Sequence, residues 1–181
     1  RMWGRDASLP ERHDPARARQ LVQASGYDGR ELVLFVNDDT VSRRIGESVQ
    51  ADWGRVGVKV RLQAYELGEL YKRTGQGEHD ITLLSWWSDN GDPDNFLTPN
   101  LSCAAVAGGG NKSRWCHKPF DELLDAARRS SDQARRVELY RQAQRLLYDE
   151  VGLIPFVYPE GTVVVSPRVQ GFRITPFGLH D

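Results

Sequence analysis

The sequence contains no apolar run long enough to cross a membrane. Its longest runs, residues 32–36 and 162–165, are far shorter than the roughly 20 residues that a membrane-spanning helix needs. It also lacks an excess of charge of either sign, because 24 Lys and Arg residues stand against 25 Asp and Glu residues. Neither nucleic acid nor insertion into a membrane is therefore predicted. At 181 residues, the chain is long enough for one domain with its own core, or for one lobe of a larger protein.

Motifs for catalysis and for metal binding are missing as well. The chain has no nucleophile elbow, phosphate-binding loop or dinucleotide fingerprint, and the glycines at 108–110 do not open a predicted helix. The histidines form no metal motif, because they are scattered at His13, His79, His117 and His180. We therefore predict a protein that is not an enzyme and that uses neither a metal nor a cofactor.

Cysteine is scarce, with only Cys103 and Cys116. If the two cysteines bridge, they close a loop of about 14 residues, which contributes on the order of 3 kcal/mol to stability in the chain-entropy model. Two unrelated free thiols are the alternative, and zinc is disfavoured because His117 is the only histidine nearby. A disulfide would indicate an oxidising compartment.

Apolar periodicity and capping residues predict five helices. The first begins at Asp14 and Pro15 and ends before Gly26. The second covers residues 40–56, where one buried stripe is predicted to consist of Val41, Ile45, Val49 and Trp53. A shorter helix is predicted at 66–74, and two more are opened by Pro119 and Asp132.

Strands are predicted at 31–36, 58–64 and 81–86, the last as a central strand. Three more strand-like pieces lie within 153–174, separated by turns at 159–161 and 166–167. Residues 88–118 are predicted as loop with at most one helical turn, and irregular segments of that length are usually functional. The alternation of helix and strand predicts an α/β fold in which helices flank a mixed sheet.

Residues 86–95 hold the strongest candidate for a functional site. They place two tryptophans and three carboxylates directly after a predicted strand, where ligands collect in open α/β folds. An aromatic ring beside a carboxylate suits a ligand with a cationic amine. Three other interpretations remain open at this point. Trp86 and Trp87 point to opposite faces if they are still in strand, so at least one of them would then be plain core. The Asp, Asn, Gly and Pro residues are also typical of turns, and three carboxylates suit calcium, although the EF-hand spacing is absent.

Several strings of the sequence resemble one protein family. Residues 49–58 (VQADWGRVGV) resemble the helix-to-strand segment of the extracytoplasmic solute-binding proteins of peptide ABC transporters. Further strings resemble the dipeptide-binding branch, in matching order and separation, at 77–80, 89–96, 101–105, 115–116, 118–121 and 136–144. The resemblance runs from about Asp14 to the end of the chain, which is identified as a carboxy-terminal lobe fragment of such a protein.

The resemblance implies a periplasmic protein of two α/β lobes, with a peptide bound between them and delivered to an inner-membrane ABC permease. Residues 14–160 would form most of the second lobe. Residues 161–181 would cross back towards the amino-terminal lobe, which this chain lacks, and residues 1–13 would be a lead-in or linker.

The resemblance also implies roles for particular residues. Asp89 matches the aspartate that pairs with the amino terminus of the peptide, and Trp86 matches the tryptophan that lines the pocket. Ser85 and Trp87 are predicted as further ligand contacts, and the two cysteines match a bridged pair. The remaining polar residues of the segment, Asp92, Asp94 and Asn95, are expected to shape the loop.

One part of the family pattern is absent. The arginine that holds the peptide carboxylate lies between the first strand and the second helix, and residues 37–40 contain no arginine. Arg43 and Arg44 match helix residues of the family and are given no such role. This leaves room for a different amine-bearing ligand, such as an antimicrobial peptide, a polyamine or a haem-like molecule. A hydrolase that uses Asp89, Asp92 or Asp94 is a remote alternative.

Overall fold

The computed structural model describes residues 3–158 and 162–173. Helices and strands alternate through the first half, and two long helices follow. The elements in chain order are α1 (Pro15–Ala24), β1 (Leu32–Asn37), α2 (Thr40–Val56), β2 (Val60–Tyr65), α3 (Leu67–Gln76), β3 (Ile81–Thr82), α4 (Asp94–Leu101), a 3-10 helix (Cys103–Val106), α5 (Lys118–Arg129) and α6 (Gln133–Glu150). The predicted α/β class, with helices flanking a sheet, is confirmed.

The described sheet has three strands in the order β2-β1-β3, and both pairings are parallel where a mixed sheet was expected. Asn37 pairs with Tyr65, and Phe35 pairs with Thr82. Helices α2 and α3 provide the crossovers that parallel strands require. Because the three strands run the same way, their carboxyl ends lie at one edge of the sheet.

Capping residues explain why the early helices start and stop where the sequence predicts. The Asp14 carboxylate accepts a hydrogen bond from the Arg17 backbone N–H, and Pro15 occupies the first turn of α1. The Asp39 carboxylate caps α2, and Gly57 ends it with a φ of 99°, a left-handed conformation that glycine adopts without strain. The observed bounds of α2 are those predicted.

The described residues bury two apolar clusters. The larger one joins α4, α5 and α6 and centres on Phe120, Leu124 and Tyr140, each at most 1% exposed. The smaller one lies between the sheet and α2 and contains Leu34, Val36 and Val60. Helix α5 therefore faces this cluster with Phe120, Leu124 and Ala127. The stripe of α2 is shorter than predicted, because Val41 lies in the first turn and is 66% exposed.

Three strand and loop predictions need correction. Residues 81–86 were expected to form a central strand, but only Ile81–Thr82 pairs, and only with β1, so it lies at an edge of the described sheet. Residues 88–118 contain α4 and the 3-10 helix in place of the predicted loop. Residues 153–158 and 162–173 contain no strand, because their backbone has no neighbouring strand there with which to pair. The predicted turn at 159–161 and residues 174–181 lie outside the described residues.

The segment before α1 packs along α6. Asp6 is 7% exposed; its carboxylate accepts hydrogen bonds from Ser8 and pairs with Arg145 at 2.8 Å. The side-chain amide of Gln144 makes two hydrogen bonds to the backbone of this segment: it donates to Gly4 O and accepts from the Asp6 N–H. Residues 3–10 are thus fastened to the helical cluster, while their assignment as a lead-in or linker stays a prediction.

We expect Asp6→Ala to lower the free energy of unfolding by about 2–3 kcal/mol, because it removes a buried, charge-assisted network. The Ser8 hydrogen bonds and Arg145 lower the pKa of Asp6 to about 2. The difference between wild type and variant should therefore be present above the ordinary value of 3.8 and disappear as the pH falls towards 2. Urea unfolding across this pH range measures both effects.

The matched control is Asp52→Ala, which removes an exposed ion pair with Arg55. It should change stability by less than about 1 kcal/mol. Equal losses for the two variants would contradict a structural role for the segment at 3–10.

Candidate functional site

The chain leaves the sheet at the edge where all three strands end. After Thr82, the Leu83 N–H still donates to Phe35 O at 3.0 Å, and residues 84–93 then continue without strand pairing. Asn37 and Tyr65 end the other two strands at this edge. The segment that holds the candidate site therefore lies at the carboxyl edge of a parallel sheet, where ligands of α/β proteins collect.

Exposure separates the candidate residues into two groups. The side chains predicted to contact ligand are exposed: Ser85, Trp86, Trp87 and Asp89. The side chains predicted to shape the loop are half-buried: Asp92, Asp94 and Asn95. The first group is therefore open to solvent, whereas the second packs against the protein.

Asn95 contacts both Trp86 and Asp89, the two residues predicted to recognise an amine. Its Oδ1 accepts a hydrogen bond from the Asp89 backbone N–H at 3.0 Å and lies 3.5 Å from Nε1 of Trp86. Its Nδ2 donates to Oδ2 of Asp89 at 3.3 Å. The structure thus brings Trp86, Asp89 and Asn95 together.

The side chain of Asp92 binds the helical cluster formed by α4, α5 and α6. Its Oδ2 pairs with Nη2 of Arg136 at 2.7 Å, and Tyr140 donates to its Oδ1 at 3.4 Å. Burial opposes the charge of Arg136, but hydrogen bonds with Asp92 and Tyr140 outweigh it and hold the Arg136 pKa above its usual range. The guanidinium also lies 4.9 Å from the ring of Trp3, close enough for a cation–π contact.

The same carboxylates start helix α4. Oδ1 of Asp92 accepts from the Asp94 backbone N–H at 3.0 Å, and Oδ1 of Asp94 accepts from the Thr98 hydroxyl at 2.6 Å. Leu97 and Leu101 then anchor the helix in the core. The turn chemistry that the sequence suggested is therefore present, and it also begins a helix.

The structure contains the expected disulfide between Cys103 and Cys116. Asn111 is 1% exposed inside the closed loop and donates to the carbonyls of Ser102 and Trp115. This loop lies between the helical cluster and α3. It contacts α3 through Arg114, which donates to Gly75 O at 3.1 Å.

His79 follows α3 and binds the same loop. One ring nitrogen lies 3.0 Å from Lys112 O, and the ring is 5.8 Å from that of Phe35. Burial lowers the pKa of His79, with a smaller contribution from Arg114. The ring is therefore held in its neutral form over a wider pH range than a free histidine.

Sequence reasoning missed one residue of this region. No role was predicted for Arg136, but its side chain is only 19% exposed and it pairs with Asp92. Its position one helical turn before the buried Tyr140 was the available signal. On the exposed surface near the start of α2, Arg43 pairs with Asp38. That pairing holds the pKa of Asp38 below its usual range.

Whether the described residues include metal-binding groups or membrane-spanning helices also bears on function. Within 3–158 and 162–173, His, Cys, Asp and Glu side chains form no group of three or more that could hold a metal ion. Of the helices in this part of the chain, none has both the length and the apolar character needed to span a bilayer.

Comparisons with known proteins agree on one family. Residues 1–108 match the family model of bacterial extracellular solute-binding proteins, family 5. Di/tripeptide-binding protein 4 of Pseudomonas aeruginosa is 43% identical over 93% of this chain and 33% of its own length. The chain thus spans about a third of the curated relatives that it matches.

Solved structures give the same result. HbpA2 from Haemophilus parasuis superposes with a TM-score of 0.86 at 36% identity, covering 97% of this chain and 36% of that one. A dipeptide-binding protein from Pseudoalteromonas sp. SM9913 in complex with Met-Leu superposes with a TM-score of 0.84 at 30% identity, covering 99% and 37%.

The Asp92–Arg136 pair should contribute more to stability than an exposed pair. In a double-mutant cycle with Asp92→Asn and Arg136→Met, we expect a coupling energy of about 1–3 kcal/mol, because each change alone leaves a half-buried charge without its partner. Urea unfolding of the four proteins measures it. The exposed pair Arg61–Glu31 is the control and should couple by less than about 1 kcal/mol. Equal coupling in both pairs would contradict the assignment.

Proposed function

Since this chain belongs to family 5 of the bacterial extracellular solute-binding proteins, we propose that it is part of the solute-binding component of a peptide ABC importer. The whole protein would capture a dipeptide or short peptide between two lobes and deliver it to an inner-membrane permease. The observation that carries the proposal is the exposed pair of Trp86 and Asp89 at the carboxyl edge of the parallel sheet. An aromatic face beside a carboxylate matches the cationic amine of a peptide.

Asp89 is proposed to bind the amino terminus of the peptide. Its Oδ2 accepts from Asn95, while the described residues place no donor at Oδ1. That oxygen is open to an ammonium group. Trp86, which is 41% exposed, would line the same pocket, with Ser85 and Trp87 as neighbouring contacts. When the lobes close, water leaves and the attraction between ammonium and carboxylate strengthens.

The proposed lobe comprises residues 14–160, and residues 161–181 would cross back towards the amino-terminal lobe. Large apolar side chains are exposed just before that crossing, at Ile154, Phe156, Val157 and Tyr158, and within it at Val164. Apolar surface of this extent is usually covered by another part of the protein. We propose a periplasmic location, which the disulfide supports because such bonds persist in oxidising compartments.

We propose that binding leaves the ligand chemically unchanged, as the relatives are named for binding. The full-length protein that contains this chain should release an intact, amine-bearing peptide when it is denatured. Mass spectrometry of the released material tests this expectation. Recovery of hydrolysed fragments would favour the hydrolase alternative, and a haem-type absorption band would favour the haem-like ligand.

Replacing Asp89 should weaken peptide binding strongly. In the full-length protein, Asp89→Asn should reduce the affinity for a dipeptide by about 2–5 kcal/mol, because the ammonium would be buried without its counter-charge. Isothermal titration calorimetry measures the change. A dipeptide with an acetylated amino terminus should bind the wild type weakly and show little further loss in the variant.

Asp125→Asn is the control for this prediction, since Asp125 pairs with Arg128 on the surface of α5. It should leave the affinity for the dipeptide unchanged. If Asp89→Asn also left the affinity unchanged, Asp89 would have no place in the site.

A further inference from the structure

The geometry points to Asn95 as the residue that positions both the Asp89 carboxylate and the Trp86 ring for an amine-bearing ligand. This inference rests on the proposed function and deepens it, because it adds a specificity-determining residue that does not itself present charge to the ligand. Asn95 was expected only to shape the loop. Its contacts instead join the two side chains proposed to recognise the ligand.

The chemistry of the three contacts requires an amide at this position. Two N–H donors, from the Asp89 backbone and the Trp86 indole, converge on Oδ1. One carboxylate oxygen of Asp89 faces Nδ2. Only an acceptor and a donor on the same side chain satisfy these partners together, and the arrangement also fixes which way the amide is oriented.

Asn95 links the exposed residues Trp86 and Asp89 to helix α4. It lies in the first turn of α4, and its own N–H donates to Asp92 O at 3.1 Å. The helix is held in the core by Leu97 and Leu101, which are 5% and 0% exposed. Residues 84–89 have no strand partner in the described chain, so Asn95 connects Asp89 and Trp86 to a fixed element.

A carboxyl group could not replace this amide without adding a second titratable group beside Asp89. Aspartate at 95 would place a second carboxylate about 3.3 Å from Oδ2 of Asp89. Like charges at this separation raise the pKa of one of the two carboxyls, so the pair retains a proton to a higher pH than a lone carboxyl would. An arriving ammonium would then have to displace that proton.

The first test is a double-mutant cycle for dipeptide binding in the full-length protein. Asn95→Ala should weaken binding at least tenfold in the wild-type background. In an Asp89→Asn background it should weaken binding less than threefold, because the residue to be positioned has already lost its charge. Calorimetry gives the dissociation constants, and thermal unfolding shows whether each variant is folded.

Asn100→Ala is the matched control. Asn100 lies on the same helix and its side chain donates to Phe96 O at 2.8 Å, so it resembles Asn95 in type and setting without contacting Asp89. It should change the affinity less than threefold in both backgrounds. A loss from Asn95→Ala of equal size in both backgrounds, or no loss, would overturn the positioning role.

The second test uses a property that a merely structural residue would not alter. Asn95→Asp should release up to one additional proton per dipeptide bound, relative to wild type, between about pH 4 and 6, where a coupled carboxyl pair loses its second proton. Titrations in buffers of different ionisation enthalpy measure this proton. Asn100→Asp should release no additional proton. Equal proton release for wild type and Asn95→Asp would overturn the inference even if Asn95→Ala did not fold.

These outcomes separate the inference from the proposed function. If the wild type binds the dipeptide and Asp89→Asn weakens it while the Asn95 variants do not, only the inference fails. If the wild-type full-length protein binds no dipeptide, the proposed function fails and the inference falls with it.

Discussion

The position of the candidate segment, residues 84–93, depends on the ion pair between Asp92 and Arg136. The segment leaves the sheet after Thr82 and has no strand partner over 84–93, so hydrogen bonds to the sheet cannot hold it. At its far end, Asp92 binds Arg136 of α6 at 2.7 Å, which fixes the loop to the larger apolar cluster. Because a half-buried charge is costly without its partner, this contact holds the end of the segment against α6. Helix α4 can then start at Asp94 with its apolar face towards α5.

The carboxylates of the segment differ in how many partners they have within the protein. The Asp92 carboxylate binds Arg136, Tyr140 and the Asp94 backbone N–H, and the Asp94 carboxylate accepts a hydrogen bond from Thr98. Within the described part of the chain, the Asp89 carboxylate accepts one side-chain hydrogen bond, from Asn95, and Asp89 is exposed. A binding site gains from this separation, since residues that define the loop need not also meet the ligand. The division explains how one short acidic segment can contain both a turn and a candidate site.

Much of the fold is encoded locally, and the sequence predicts that part. Helix α2 has the predicted bounds because Asp39 caps one end and Gly57 ends the other, and both are visible in the sequence. Helix α4 was missed because Asp92-Pro93-Asp94 resembles turn chemistry, and the buried contacts of Leu97 that extend it into a helix are not local. The last strand-like pieces fail for a similar reason, since a strand depends on a neighbour and apolar residues alone do not provide one. Asp89 and Trp86 could be named from a family resemblance. Their connection through Asn95, and that of Asp92 through Arg136 across 44 positions, depend on tertiary structure.

The packing of residues 3–12 along α6 bears on how this lobe can be cut and joined in protein engineering. A domain boundary drawn at Asp14 would coincide with the start of the first capped helix, α1. It would, however, delete Trp3, which contacts Tyr140 and Arg136, and Asp6, which pairs with Arg145. A fluorescent reporter or a foreign domain inserted at residue 13 would be attached directly after residues 3–12, which already contact helix α6. The loop at 28–30, which joins α1 to β1 away from these contacts, is the better point for an insertion, because Asp28 and Arg30 meet solvent and Gly29 turns with a φ of 81°.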